Sequence, residues 1–393
     1  MSILKQASLL MYPSGYKASK LYSINPVDGS GDLSFARSST GTRVNDSGIV
    51  ETIAIDTPRI DYTGGGCGKL LIEPQSTNSL IYSEQFDNSY WGKTGVSIIA
   101  NDTIAPDGTM TADRATNLFT GQKNIQKSIT SGAGSFSIYA KKGVGDTITL
   151  ITLGPTVSST FDLQNVTASG VGVIQEIGNG WYRCSIPITG TTQVRIYPPP
   201  VLNDYVYLWG AQLEGVTAAT SYTPTSGTTV TRTQDTSLTT SSNIAAAINS
   251  EEGVLFVDFD RLGLDYEDSW IGLYKGSNSF SNSIRIIYRK DRILAYFRNG
   301  SGYQAIMTYY STFTMPRIKV AFKWKVNDFA IWANGVEGAT DTSGTTFNAG
   351  EIDTVNLGDY INSPNPKFNS KINALAVYDT ALSDADLTTL TTL

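Results

Sequence analysis

The residues of this chain that could do chemistry fall into three groups. Carboxylates come first. Asp258 and Asp260 stand two apart in the run GVLFVDFDR, whose apolar alternation reads as a strand, so both side chains share one face. Cleaving a glycosidic bond takes two carboxyls about 5–9 Å apart across that bond. No glutamate follows at the spacing a strand-borne third acid would need, and the pair reads as solvent-face or strand-end carboxylates. Glu251 and Glu252 read as a charged turn. Asp265, Glu267 and Asp268 are oxygen donors of the kind calcium uses, but no EF-hand loop surrounds them. No cofactor is expected, calcium at that acidic cluster being the alternative.

Aromatic and guanidinium groups form the second set. In GWYRCSI, Tyr182, Cys184 and Ile186 alternate with Trp181, Arg183 and Ser185; in QVRIY, Val194 and Ile196 alternate with Arg195 and Tyr197. If the apolar rows face a core, Trp181, Arg183, Arg195 and Tyr197 line an outer or concave face. Two rings and two guanidinium groups there would suit a sugar, whose C–H faces stack on rings and whose hydroxyls need polar partners. The plainer reading puts Trp181 in the core and Arg183 in a structural ion pair. Trp209, Trp324 and Trp332 lie on apolar patterns and read as core, and Trp270 and Tyr274 are weaker surface candidates.

The third set is defined by absence. The chain has no histidine, which removes Ser-His-Asp and Cys-His catalysis, imidazole metal sites and histidine pH switching. Cys67 and Cys184 have no CxxC spacing, so a zinc site is not expected. They read as two free thiols, with a long-range disulfide as the alternative. The GGG and GSG runs lack a following Lys-Ser/Thr and helix, and read as turns rather than phosphate loops.

The elements that must carry these groups are strands. Of 393 residues, 16% are charged and 40% hydrophobic, with 37 Gly and 21 Tyr, a composition for sheets joined by tight turns rather than helical bundles. A net charge of −6 without any basic run argues against nucleic acid. No apolar run approaches the roughly 20 residues of a membrane-spanning helix, and the N-terminus lacks a signal-peptide pattern.

Along the chain, residues 1–78 are Gly- and Ser-rich with short strands expected at 20–24, 49–55 and 69–72. Residues 79–235 hold eight to ten short strand patterns, which predict a sandwich or barrel, best a jelly roll. Residues 225–249 read as a linker with a single helical turn. Residues 236–393 form another all-β unit. RIKVAFKWKV alternates cleanly, with Ile318, Val320, Phe322, Trp324 and Val326 opposite Lys319, Lys323 and Lys325. Asn334–Gly335 signals a hairpin, and Ser383 with Asp386 marks a capped terminal helix.

Several phrases resemble known proteins. Thr42, Arg43, Gly48, Pro58, Arg59, Ile60 and Asp61 lead into Leu70, Leu71, Ile72 and Glu73. Thr77, Asn78, Leu80, Tyr82, Ser83, Glu84, Phe86 and Trp91 then complete the pattern. This wording resembles segments of tail, spike and head-fibre proteins of tailed bacteriophages. APDGTMTAD, GNGWYRCSI and YLWGAQLEGVTAATSYTPTSGTTVTRTQD resemble the carbohydrate-binding-module-like jelly roll of that family. The strand order after residue 251 resembles a concanavalin A or laminin G-like sandwich. The resemblance implies an all-β chain of two antiparallel β-sandwiches after a small irregular attachment or oligomerisation region (1–78). It implies a virion surface protein assembled in the bacterial cytoplasm, and the lack of histidine and of a third strand-borne acid points to a non-enzyme. Its implied partners are other virion proteins, host-surface glycan and two further copies in a homotrimer. A purely structural spacer and a glycan depolymerase are the alternatives.

Overall fold

A computed structural model describes residues 3–13, 15–121, 123–240, 242–262, 269–276, 280–289, 291–310, 317–357 and 369–393. The architecture is all-β with antiparallel pairing throughout. Two pairs of large sheets form two sandwiches, and two small two-stranded sheets lie outside them, which the expectation of two plain sandwiches did not include.

The inserted sandwich is made of two six-stranded sheets. One runs Gly92–Thr94, Asn124–Ser131, Thr191–Tyr197, Thr147–Leu153, Val157–Asp162 and Thr167–Ala168. The other runs Val96–Thr103, Ala112–Asn117, Tyr205–Glu214, Gly134–Lys142, Trp181–Ile188 and Val173–Gly178. Alternation along each strand fills the space between them: Phe136, Ile138, Cys184 and Ile186 from one sheet meet Ile125, Leu150, Val194 and Ile196 from the other. Cys184 is buried in this core, Cys67 is exposed, and both are free.

The terminal sandwich pairs an eight-stranded sheet with a nine-stranded one. Ile318, Val320, Phe322 and Trp324 enter its core as the alternation requires, whereas Val326 lies past the strand end and is exposed. Asn334 and Gly335 both have positive φ (49° and 83°), the geometry of a tight hairpin turn, and Ala333 pairs with Val336. Ser383 caps the helix Asp384–Thr391, accepting from the Asp386 amide at 3.3 Å.

Residues 1–78 do not stand apart as the sequence suggests. Leu9–Met11 and Lys69–Ile72 both pair with Ser370–Tyr378, Arg59–Asp61 extends the same sheet, and Leu33–Ala36 pairs with Thr236–Thr240. Leu9, Leu33, Phe35, Leu70 and Ile72 bury in the terminal core beside Leu255, Phe322 and Leu375. The terminal sandwich is therefore built from both ends of the chain, and the other sandwich is inserted between them. The stretch 225–249 is likewise no free linker. Val230–Arg232 pairs with Ser76–Asn78, Thr236–Thr240 joins the nine-stranded sheet, and Ser242–Ala247 is helical.

Candidate functional site

Three arginines and two acids meet where the chain passes between the sandwiches. Arg59 pairs with Glu73 at 2.7 Å and with Asp235; Arg37 pairs with Asp235 at 3.1 Å; Arg232 reaches Glu73 at 3.5 Å. All five side chains are at most 2% exposed. The remaining oxygen capacity is filled: the Ser221 amide and hydroxyl donate to Glu73, and the Glu73 amide donates to Asp235. Burial alone would raise the Glu73 carboxyl, but Arg59 and Arg232 overturn that and hold it at about 2. Burial likewise opposes the Arg59 charge, and Asp235 and Glu73 outweigh it and push its pKa up.

Most polar residues of the 35–91 motif serve this junction. Thr42 donates to the Tyr222 carbonyl, and Asp61 pairs with Lys371 at 2.7 Å while accepting from the Val44 amide. Asn78 donates to the Ala211 and Thr223 carbonyls and accepts from the Leu80 and Leu213 amides. Tyr222 bridges Ser83 and Glu84, and Phe86 and Trp91 plug the inserted core. These residues lock chain to chain.

The four residues expected to line one sugar-binding face do not come together. Trp181–Ile188 and Thr191–Tyr197 belong to different sheets of the inserted sandwich, so their outward rows point in opposite directions. The outer face of the sheet holding Trp181 and Arg183 is covered. The hairpin Gly41–Val44/Val50–Ile53 and the 215–222 segment lie on it. Trp181, 1% exposed, packs with Val44, Val50, Trp209 and Tyr222 and donates its indole N–H to the Ile104 carbonyl. The fit is tight: a Cβ on Gly178 (φ 138°) would sit 2.8 Å from the Cα of Gly48, which explains a glycine on each side of that contact. Arg183, 6% exposed, donates to the Thr220 carbonyl and to Ser137, and is in no ion pair among the described residues. The sugar-platform role is therefore corrected for both residues.

Arg195 and Tyr197 lie on the outer face of the opposite sheet, which stays open. Cross-strand rows order it: Gln126, Arg195, Ile151 and Ser158 in one, Tyr197, Thr149 and Thr160 in the next. Arg195 donates to Gln193 Oε1 at 2.5 Å and to the Tyr197 hydroxyl at 3.2 Å, and no carboxylate among the described residues pairs with it. Gln193 reaches Ser128, and Thr149 and Thr160 share a hydrogen bond of 2.8 Å. Tyr197 is only 8% exposed, so its hydroxyl rather than its ring faces outward partners. The surface offers guanidinium, amide and hydroxyl groups that suit a hydroxyl-rich ligand.

The other candidates are occupied. Asp258 holds Arg317 in a two-pronged pair at 2.8 and 2.6 Å, and Asp260 is taken by Lys69 and Asn373. Glu252 pairs with Lys325. Asp265, Glu267, Asp268 and the Trp270 side chain lie outside the described residues, among which no group of three or more metal-ligating residues occurs. Trp209 and Trp324 are buried, Trp332 is 7% exposed, and Tyr274 is buried rather than on the surface. One surface was missed. Arg298 lies 5.0 Å from the ring centroids of both Phe280 and Tyr303, beside Tyr296. Alternation in RILAYFRN, with Ile293, Ala295 and Phe297 inward, carried that signal.

No family model matches the chain, and no curated protein matches it. Among solved structures, the CBM40 of the Ruminococcus gnavus IT-sialidase is 19% identical over 38% of this chain and 87% of its own, with a TM-score of 0.33. The NanB sialidase of Streptococcus pneumoniae is 17% identical, covering 39% of this chain and 26% of its own, with a TM-score of 0.33. A SAP-like pentraxin of Limulus polyphemus is 13% identical over 37% of this chain and 71% of its own, at 0.27. Each of these resemblances covers less than two fifths of this chain. No helix among the described residues is long and apolar enough to cross a membrane.

Proposed function

We propose that this chain is a non-enzymatic surface protein of a tailed-phage particle, a head fibre, tail fibre or spike that attaches to host glycan. In this reading the inserted sandwich is a carbohydrate-binding-module-like jelly roll. The terminal sandwich is a concanavalin A or laminin G-like mount, and the chain acts as a homotrimer on other virion proteins. The observation that carries it is the face around Arg195, a guanidinium in a field of amides and hydroxyls that no acid among the described residues neutralises. The motif resemblance supports the phage assignment, because the residues that carry it build the mount for the inserted module. A nearly covered tyrosine and a few hydrogen-bonding side chains give weak single-site binding, which several copies on one particle would raise by avidity.

A glycan array with the intact chain tests it. Binding that Arg195→Ala removes without changing the fold supports the open face. Absence of binding by the wild type leaves the sandwiches as spacers. Release of reducing sugar from host polysaccharide would overturn the non-enzymatic assignment.

A further inference from the structure

One end of the inserted sandwich carries a feature that the sugar-binding proposal does not use. Loops 118–123, 142–146 and 198–204 meet there. Asn117 ties two of them: its side-chain amide donates to the Gly121 and Pro199 carbonyls, and its backbone carbonyl accepts from the Asn203 amide. The Gly121 amide donates to the Pro200 carbonyl, and the Gly145 amide to the Tyr205 carbonyl. A Cβ on Gly145 would meet the Pro199 ring at 2.3 Å, so the third loop is pressed against the others. This end lies away from the junction. Tyr205–Glu214 runs ten residues from it, about 30 Å at strand rise, to Glu214, which accepts from Ser76.

The three loops hold five large apolar side chains in water: Leu118, Phe119, Val144, Val201 and Leu202 are between 43% and 64% exposed. A contiguous apolar patch of a few hundred Å² is about the largest a soluble monomer carries, and it is often a site of interaction. The hydrogen bonds among the loops and the three prolines Pro198, Pro199 and Pro200 fix these side chains before any partner arrives.

Area, charge and the groups behind the patch select the partner. Five half-exposed side chains fall short of the roughly 800 Å² per partner that a stable protein interface buries. The charges of the loops, Lys123 and Lys142 against Asp146 and Asp204, cancel, so the patch does not select a charged partner. Lys123 lies 5.6 Å from the Phe119 ring centroid, and Arg114 lies 5.2 Å from that of Tyr205, which packs edge-on with Tyr207. Apolar tips backed by tyrosines and long cationic side chains match the order of groups across the headgroup boundary of a bilayer.

We propose that this end of the inserted sandwich docks on a lipid bilayer surface. The five apolar side chains enter the acyl boundary, and Tyr205, Tyr207, Arg114 and Lys123 stay at headgroup level. The contact is driven by apolar burial and does not require anionic lipid.

The test is co-sedimentation of the full chain with vesicles of phosphatidylcholine alone and of phosphatidylethanolamine with phosphatidylglycerol, beside sedimentation velocity without lipid. The expected result is saturable binding to both vesicle types that persists in high salt. The apparent affinity should fall about tenfold or more in the double variant Phe119→Ser, Leu202→Ser, whose side chains are exposed and leave the core intact. Arg195→Ala should bind vesicles as the wild type does, so the glycan face and this end fail or succeed separately. Binding to neither vesicle type, undiminished binding in the double variant, or binding only to the anionic vesicles that salt abolishes overturns the proposal. So does self-association without lipid that the double variant removes, which would assign this end to a second copy of the chain.

Discussion

The inserted sandwich has two outer faces that read alike in sequence and differ in the fold. Trp181 and Arg183 alternate with core residues on one strand just as Arg195 and Tyr197 do on another. The first pair is sealed under a hairpin from residues 41–53, and the second lies on the outer face of the opposite sheet, where Arg195 keeps partial exposure and Tyr197 is 8% exposed. Alternation thus reports which side of a strand a residue takes. What lies on that side depends on chain that arrives from more than a hundred residues away.

The difference can be broken most forcefully at Trp181. Trp181→Ala leaves a large void between the sheet and its cover and is expected to cost about 3–5 kcal/mol in urea denaturation. Next is Arg59→Met, which removes the cation shared by Glu73 and Asp235, leaves them to Arg232 and Arg37, and is expected to cost on the order of 3 kcal/mol by the same measurement. Acid should act on the same cover. Glu73 sits at about 2 in the fold, below its ordinary value of 4.5. Its contribution is therefore present above about pH 4.5 and lost as pH falls toward 2, on the order of 3 kcal/mol in a stability-versus-pH series. Glu73→Gln should flatten that part of the curve.

Gly178→Ala, which forces a Cβ against Gly48 at an unfavourable φ, should cost about 1–3 kcal/mol and loosen the cover alone. Its readout is faster amide exchange at 41–53 with the inserted core unchanged. Arg195→Ala should have the smallest effect on stability, within about 1 kcal/mol, and the largest on glycan binding. A stability loss at Arg195 as large as that at Trp181 would erase the distinction between the two faces.

Local rules made much of this fold legible. The parity of Cys184 and Ile186 against Trp181 and Arg183, the inward row of Ile318, Val320, Phe322 and Trp324, the Asn334–Gly335 turn and the Ser383 cap all follow from short-range geometry. The misreadings share a different cause. Placing Trp181 and Arg195 on one surface assumed that consecutive strands stay in one sheet, whereas the chain crosses to the other sheet between Ile188 and Thr191. Treating residues 1–78 as a separate region missed pairings such as Leu10 with Ala376, whose sequence separation leaves no local signature. The buried arginines were legible as a motif, but their meaning lay in Asp235, contributed by the returning chain.

The chain leaves the terminal sandwich at Ser76–Asn78 and re-enters at Val230–Arg232, and these two segments are paired neighbours. A module whose two ends lie side by side behaves like a cassette in a socket. Recombination could exchange it for another with the same flanking Glu-Pro and Thr-Arg-x-x-Asp residues and leave the host fold intact. The inserted module would then change while the socket, with its three arginines and two acids, stays constant.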